Sequence, residues 1–248
     1  MSADANDGLS RRGFLAISAA TLGGVMLAPG IRLIEIAGAR APDQPVSRQV
    51  RWGLLIDTSK CLPGCDDCVK ACATENGIKD TGHPRTDAQW IRKVELKDMR
   101  SGHTNSVPVM CQHCEYPPCV DVCPTGASFK RADGIVLVDR HICIGCRYCM
   151  MACPYKARSI VFQNITGQNP DVPRGNGCAE GCTLCVHRID HGRQPACVEA
   201  CTKAGHNAMI FGDLNDPQSE IAQRVAKYAS TQIRADLSLN PGVRYQGL

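Results

Sequence analysis

The apolar residues of this chain fall in short bursts rather than in long periodic stretches. "VRWGLLID" (50–57), "GIVLVD" (134–139), "SIVFQ" (159–163) and "AMIFGDL" (208–214) each have the length of a strand. The first two lead into a cysteine cluster, and the other two follow one. The order strand, cysteine run, short helix, strand therefore recurs, which predicts a repeated unit rather than one continuous core. "QWIRKVELKD" (89–98) predicts a further strand between polar loops. In "NDPQSEIAQRVAKYA" (215–229), Ile221, Val225 and Tyr228 stand at helical spacing. Asp216 is the expected N-cap of this amphipathic helix and Pro217 its first residue. The last dozen residues carry no readable pattern.

One apolar stretch is longer. From Gly13 to Ile31 the chain bears no charge, and Ser10-Arg11-Arg12-Gly13-Phe14-Leu15 just before it forms a twin-arginine export signature. Gly23, Gly24, Pro29 and Gly30 make the stretch only weakly hydrophobic. Residues 1–39 are therefore expected to be a twin-arginine signal peptide, with Ala37-Gly38-Ala39 as a candidate cleavage site and an uncleaved anchor as the alternative. Residues 40–50 read as a Pro-containing linker. No other stretch after residue 40 reads as a membrane span, so the mature protein is expected to be soluble or peripheral.

All 17 cysteines fall into four runs. Cys143, Cys146, Cys149 and Cys153 follow C-x2-C-x2-C-x3-C-P, the run that holds cubane iron–sulfur clusters in bacterial ferredoxins. Cys111, Cys114, Cys119 and Cys123 also end in Cys-Pro. Cys61, Cys65, Cys68 and Cys72 form a run with one wider gap and no closing proline, and Cys178, Cys182, Cys185, Cys197 and Cys201 make the last. In two-cluster ferredoxins the fourth cysteine of such a run ligates the other cluster. That rule assigns Cys111, Cys114, Cys119 and Cys153 to one [4Fe-4S] cluster, and Cys143, Cys146, Cys149 and Cys123 to its neighbour. It gives Cys61, Cys65, Cys68 and Cys201 to a third, and Cys182, Cys185, Cys197 and Cys72 to a fourth. Cys178 is left over. Because "CAEGCTLC" repeats the spacing of the first run, it is an alternative to Cys182.

Zinc and disulfides are the competing uses of so many thiols. Zinc asks for pairs set well apart, and disulfides do not require these spacings. Export by the twin-arginine route, which follows folding and cofactor uptake, is compatible with clusters in an oxidising compartment.

Aromatic residues make up 4% of the chain against 44% hydrophobic residues, so metal cross-links are expected to carry part of the stability. The formal net charge of +4 ignores the clusters, which are anionic when bound by four thiolates, so it implies no nucleic-acid partner. His113, His187, His191 and the Asp66-Asp67 pair lie in or beside the runs. They are read as hydrogen-bonding or surface residues rather than ligands. No Ser-His-Asp set, phosphate-cradling glycine loop or acid–base pair is present. The chain is expected to move electrons without breaking bonds, as a non-catalytic subunit.

Runs such as "CEYPPCVDVCPTGA" and "CTLCVHRIDHGRQPACVEAC" resemble the four-cluster electron-transfer subunits of respiratory membrane complexes, including dimethyl sulfoxide, polysulfide, tetrathionate and formate enzymes. The resemblance covers residues 50 to 215. It implies an α+β fold of two ferredoxin-like bis-cluster modules with small β-ribbons and short helices. Residues 107–165 would form the inner module, residues 51–80 with 175–215 the outer one, and 81–106 an insertion. Residues 51–215 thus make one four-cluster domain, and 216–248 a C-terminal helix and tail.

"SRRGFL", "APGIRLIEIAGARAP", "VRWGLLIDTSKCLPGCDDCVKAC" and "CVHRIDHG" look most like the DsrO type, the periplasmic subunits of DsrMKJOP complexes in dissimilatory sulfur metabolism. That resemblance implies an NrfD-type quinone-interacting membrane subunit (DsrP) and a multihaem cytochrome c (DsrJ) as partners, with DsrM and DsrK in the same complex. A subunit of a molybdopterin reductase of tetrathionate or polysulfide type is the nearest alternative. A zinc- or disulfide-stapled exported binding protein is the more distant one.

Overall fold

The computed structural model describes residues 45–162 and 164–248, so the export signal and most of the linker lie outside the described residues. The first apolar burst becomes strand β1 (Trp52–Asp57), the middle strand of a three-stranded sheet. Leu54, Leu55 and Ile56 are all buried, which is why this burst reads as continuous rather than alternating. On one side β1 pairs antiparallel with β8 (Met209–Asp213), Leu54 opposite Phe211. On the other side it pairs parallel with β9 (Val243–Gln246), Leu54 opposite Val243. The tail that carried no readable pattern thus closes the sheet, and Tyr245 within it is fully buried.

The remaining strands form two-stranded ribbons. "QWIRKVELKD" supplies β2 (Ile91–Lys97), and its partner is β3 (Thr104–Met110), in a segment expected to be a polar loop and the start of the inner module. β4 (Ser128–Lys130) pairs with β5 (Val136–Val138), and β6 (Ser159–Ile160) with β7 (Ala179–Glu180).

Each cysteine run carries a short helix. α1 (Asp67–Glu75) holds Cys68 and Cys72, α2 (Pro118–Asp121) holds Cys119, and α3 (Tyr148–Ala152) holds Cys149. The last run supplies α4 (Val186–Ile189) and α5 (Ala196–Lys203), the latter with Cys197 and Cys201. α1 packs on α5 and α2 on α3, so runs one and four meet, as do runs two and three.

The C-terminal helix, α6, spans Glu220–Lys227, with Ser219 rather than Asp216 as its N-cap. The Ser219 hydroxyl accepts from the Ala222 amide at 3.2 Å and itself donates to the Asp213 carbonyl. Asp216 instead closes the preceding turn by accepting from the Gln218 amide at 2.9 Å, and Pro217 lies inside that turn. Ile221 is fully buried, while Tyr228 is exposed beside Arg224 and Lys227.

Two arginines, Arg188 buried and Arg51 half-buried, hold distant segments together. Arg188 on α4 meets Glu75 of α1 at 2.9 Å and also Glu199 of α5. Arg51, just before β1, donates to the carbonyls of His113 (2.8 Å) and Gly134 (3.0 Å) and pairs with Glu115 at 3.3 Å. It therefore ties the sheet to the second cysteine run. Replacing Arg51 with Met should leave the Gly134 carbonyl and the Glu115 carboxylate without this partner and lower stability by about 1–3 kcal/mol. The check is the guanidinium midpoint by tryptophan fluorescence, at iron content matched to the parent.

Candidate metal centres

All four runs bend in the same way. The residue immediately before Cys65, Cys114, Cys146 and Cys185, the second cysteine of each run once Cys178 is set aside, adopts a left-handed backbone: Gly64 (φ 75°), His113 (44°), Gly145 (68°) and Leu184 (52°). This turn lets a short loop curl its sulfurs inward. Glycine suits it best, and Gly145 has a second reason to be glycine, because a Cβ there would collide with the Gly177 carbonyl.

The thiols gather in four sets. Cys61, Cys65, Cys68 and Cys201 line one small cavity, and Cys111, Cys114, Cys119 and Cys153 another. Cys123, Cys143, Cys146 and Cys149 line a third. Cys182 lies in electrostatic reach of Cys72, Cys185 and Cys197, and these four are all buried. Each run therefore sends one sulfur to a set built mainly by another run. The helices explain this for Cys68 and Cys72 and for Cys197 and Cys201. Residues four apart share a helix face but are displaced by about 6 Å along the axis, so their sulfurs enter adjacent cages.

Does this donor set suit a metal cluster? All 17 cysteines are free thiols. Main-chain amides point at sulfur in every set: Ser128 at Cys123 (3.3 Å), Ala179 at Cys143 (3.4 Å), Ala157 at Cys153 (3.5 Å), Leu184 at Cys182 (3.4 Å) and Ala208 at Cys201 (3.3 Å). The Asn76 side-chain amide adds a donor at 3.6 Å from Cys72. Hydrogen-bond donors aimed at sulfur favour its thiolate form. Burial opposes that charge: it pushes Cys68 and Cys111 up to about 11 and Cys114 to about 12, and it raises Cys72, Cys182 and Cys197 strongly. Deprotonated sulfurs are held here only with cations among them, which is the chemistry of a thiolate-bound iron cluster.

The four sets stand in a row. Cys68 of the first acts electrostatically on Cys72 and Cys197, Cys111 acts on Cys182, and Cys119 on Cys149. The order is the Cys61 set, the Cys72 set, the Cys111 set and the Cys123 set. The middle two are buried throughout. Cys61 and Cys65 at one end, and Cys123, Cys143 and the exposed Cys146 at the other, approach the surface.

The residues around the runs resolve individually. His113 is buried, its Nδ1 accepts from the Val136 amide at 3.0 Å, and burial drives its pKa down to about 3, so it is neutral. It shapes the turn before Cys114, and with Nδ1 accepting, the neutral ring carries its proton on Nε2, a buried donor with no partner among the described residues, which agrees with a hydrogen-bonding rather than a ligating role. His187 pairs with Glu75 at 2.8 Å, and the His191 ring meets the His187 carbonyl at 2.7 Å. Asp66 pairs with Lys70 at 2.8 Å, while Asp67 lies 3.3 Å from His206. Cys178 is not in the Cys72 set. Its thiol donates to the carbonyl of Arg140 at 3.3 Å and lies 3.8 Å from that of Cys143, so it buttresses the loop of the third run. A larger open trough of about 480 Å³ between α1 and β2 touches only Cys72 among the thiols.

A family profile for the 4Fe-4S dicluster domain matches residues 103–214. The chain is 40% identical to the Hdr-like menaquinol oxidoreductase iron-sulfur subunit 1 of Archaeoglobus fulgidus, over 97% of this chain and 98% of that protein. It is 37% identical to a tetrathionate reductase subunit of Salmonella typhimurium, over 90% and 84% of the two chains. Protein NrfC of Escherichia coli is also 37% identical, over 77% and 78%.

Because burial raises these thiol pKa values, protons compete with metal for the sulfurs, and the competition strengthens as pH falls. Chelator-driven iron loss from the loaded protein should therefore accelerate steadily between about pH 8 and pH 6. Alkylation mapped by mass spectrometry should mark Cys123, Cys143 and Cys146 before Cys72, Cys182 and Cys197. A rate indifferent to pH, or the reverse labelling order, would contradict this account.

Proposed function

The chain belongs to the 4Fe-4S dicluster family of oxidoreductase iron–sulfur subunits, and from that premise we propose that it holds four [4Fe-4S] clusters as an electron wire of the DsrO type. The observation that carries the reading is the row of four four-cysteine sets, two buried and two near the surface at opposite ends. When bound, such clusters supply one-electron redox centres. The chain's own residues do the rest. Sixteen thiolates hold the irons in the four sets described above, and amide donors offset the negative charge on the sulfurs. Buried positions exclude water from the middle of the row, and the two ends present a cluster ligand to a partner.

The twin-arginine signature at Ser10–Leu15 supports a periplasmic location, with the chain held at the inner membrane by its partners. Among the described residues no helix is long and apolar enough to cross a membrane. The partners that fit are an NrfD-type quinone-interacting membrane subunit (DsrP) at one end and a multihaem cytochrome c (DsrJ) at the other, with DsrM and DsrK completing the complex of dissimilatory sulfur metabolism. Likeness over nearly the full length to a menaquinol oxidoreductase subunit supports the quinone link. Likeness to the tetrathionate reductase subunit favours a second reading, a wire feeding a large molybdopterin subunit. Affinity purification from native membranes separates them: a haem protein and a polytopic quinone protein, or a large molybdenum-containing subunit.

Anaerobically purified protein should contain about sixteen irons and about sixteen acid-labile sulfides per chain. Far fewer irons, with zinc in their place, would overturn the wire. Cys153→Ala should disturb the electron paramagnetic resonance (EPR) signal of the cluster held by Cys111, Cys114 and Cys119. A loss confined to the Cys143, Cys146 and Cys149 cluster would overturn the exchange of ligands between runs.

A further inference from the structure

Two arginines of this chain, Arg158 and Arg188, are buried. Arg188 is met by two carboxylates, Glu75 and Glu199. Arg158 is met by none among the described residues, and its surroundings are sulfur. Its Nη2 donates to Cys119 Sγ at 3.7 Å and to the Ser128 hydroxyl at 3.2 Å. Ser128 is buried, and its amide donates to Cys123 Sγ at 3.3 Å. Cys119 belongs to the Cys111 set and Cys123 to the next one along the row. A continuous path of hydrogen bonds therefore runs from one set to the other: Cys119, Arg158, Ser128, Cys123. The charges that act on the guanidinium come from both sides, Cys111 and Cys119 on one and Cys149 on the other.

A guanidinium cannot shed its charge, so burying it demands an anion nearby. The protein supplies no carboxylate there, and the anions available are the thiolate-bound centres on either side. We infer that Arg158 is a positioning residue for electron transfer, a fixed cation shared by the Cys111 and Cys123 sets. Reduction adds one negative charge to a cluster, so a fixed cation beside it favours the reduced state. Because Arg158 faces both sets, an electron crossing between them stays next to the same positive charge. Its removal therefore lowers both potentials together and changes their difference less. The Ser128 hydroxyl holds the guanidinium in place between the two sets, while the Ser128 amide separately meets Cys123.

The inference rests on the four-cluster reading, and the test separates the two. The experiment is an EPR-monitored redox titration of the intact, iron-loaded protein, with signals assigned by single-cysteine variants. Arg158→Met should make reduction of both flanking clusters at least about tenfold less favourable, a midpoint about 59 mV lower for a one-electron couple. The clusters of the Cys61 and Cys72 sets should keep their midpoints, and Arg158→Lys should recover most of the loss. Ser128→Ala keeps the amide on Cys123 and removes only the hydroxyl that holds Arg158, so it should lower both flanking midpoints by less than Arg158→Met does, and it carries the test if Arg158→Met does not load. Full iron content with flanking midpoints unmoved, or with all four shifted equally, would overturn the shared cation alone. A parent protein with far fewer than about sixteen irons would overturn the four-cluster reading and the cation with it.

Discussion

Buried sulfur without a counter-charge is the constraint from which the rest of this structure follows. Twelve of the 17 cysteines are buried, several so deeply that their thiols resist ionisation well above neutral pH. With few aromatic residues to fill a conventional core, the thiols share one buried cluster with strand residues such as Leu54, Ile56, Ile91 and Val107. Such an interior is stable when metal cations turn the thiols into thiolates, so cluster binding and folding are one free-energy change. The local architecture serves that end. Left-handed residues before the second cysteine curl each loop, short helices form the walls between neighbouring cages, and amides are spent on sulfur.

The protein's fixed charges divide into two kinds. Arg188 with Glu75 and Glu199, Arg174 with Glu180, and Arg131 with Asp133 and Asp190 are neutralised within the protein and act as fasteners between segments. Arg158 faces sulfur instead, which makes it responsive to the charge state of what the sulfurs hold. The same chemical group therefore has a structural role in one place and an electrostatic one in another, depending only on whether a carboxylate is near.

The ends of the row differ in character. Around Cys61 and Cys65 the side chains are mostly charged: Lys60, Asp66, Asp67, Lys70 and His206, with Leu62 the exposed apolar exception. Around Cys146 the exposed side chains are more apolar, Ile142, Ile144, Tyr148 and Met151, with Arg147 the charged one beside the thiol. Burial of the two central sets and access to the two terminal ones are what an electron path through a protein requires, and this chain achieves both with short elements and tight loops.

Spacing determined the clustering of the thiols into runs, because a loop of two residues can wrap only a small core, and the ferredoxin rule for the fourth cysteine suggested which thiols from different runs would share a cavity. The first strand, its antiparallel partner and the existence of a C-terminal helix were equally legible, since each is a local pattern. The closing strand Val243–Gln246 was not, because its residues become a strand only by pairing with β1, almost 190 positions away. Nor was the start of the last helix, where Asp216 suited two local structures and the Asp213 carbonyl decided for Ser219. The order of the four sets, the seat of Cys178 beside Cys143, the neutral acceptor role of His113 and the position of Arg158 between two cages all depend on contacts between segments far apart in the chain. Only the tertiary structure brings those segments together, because charge and burial belong to a place in space and not to a place in sequence.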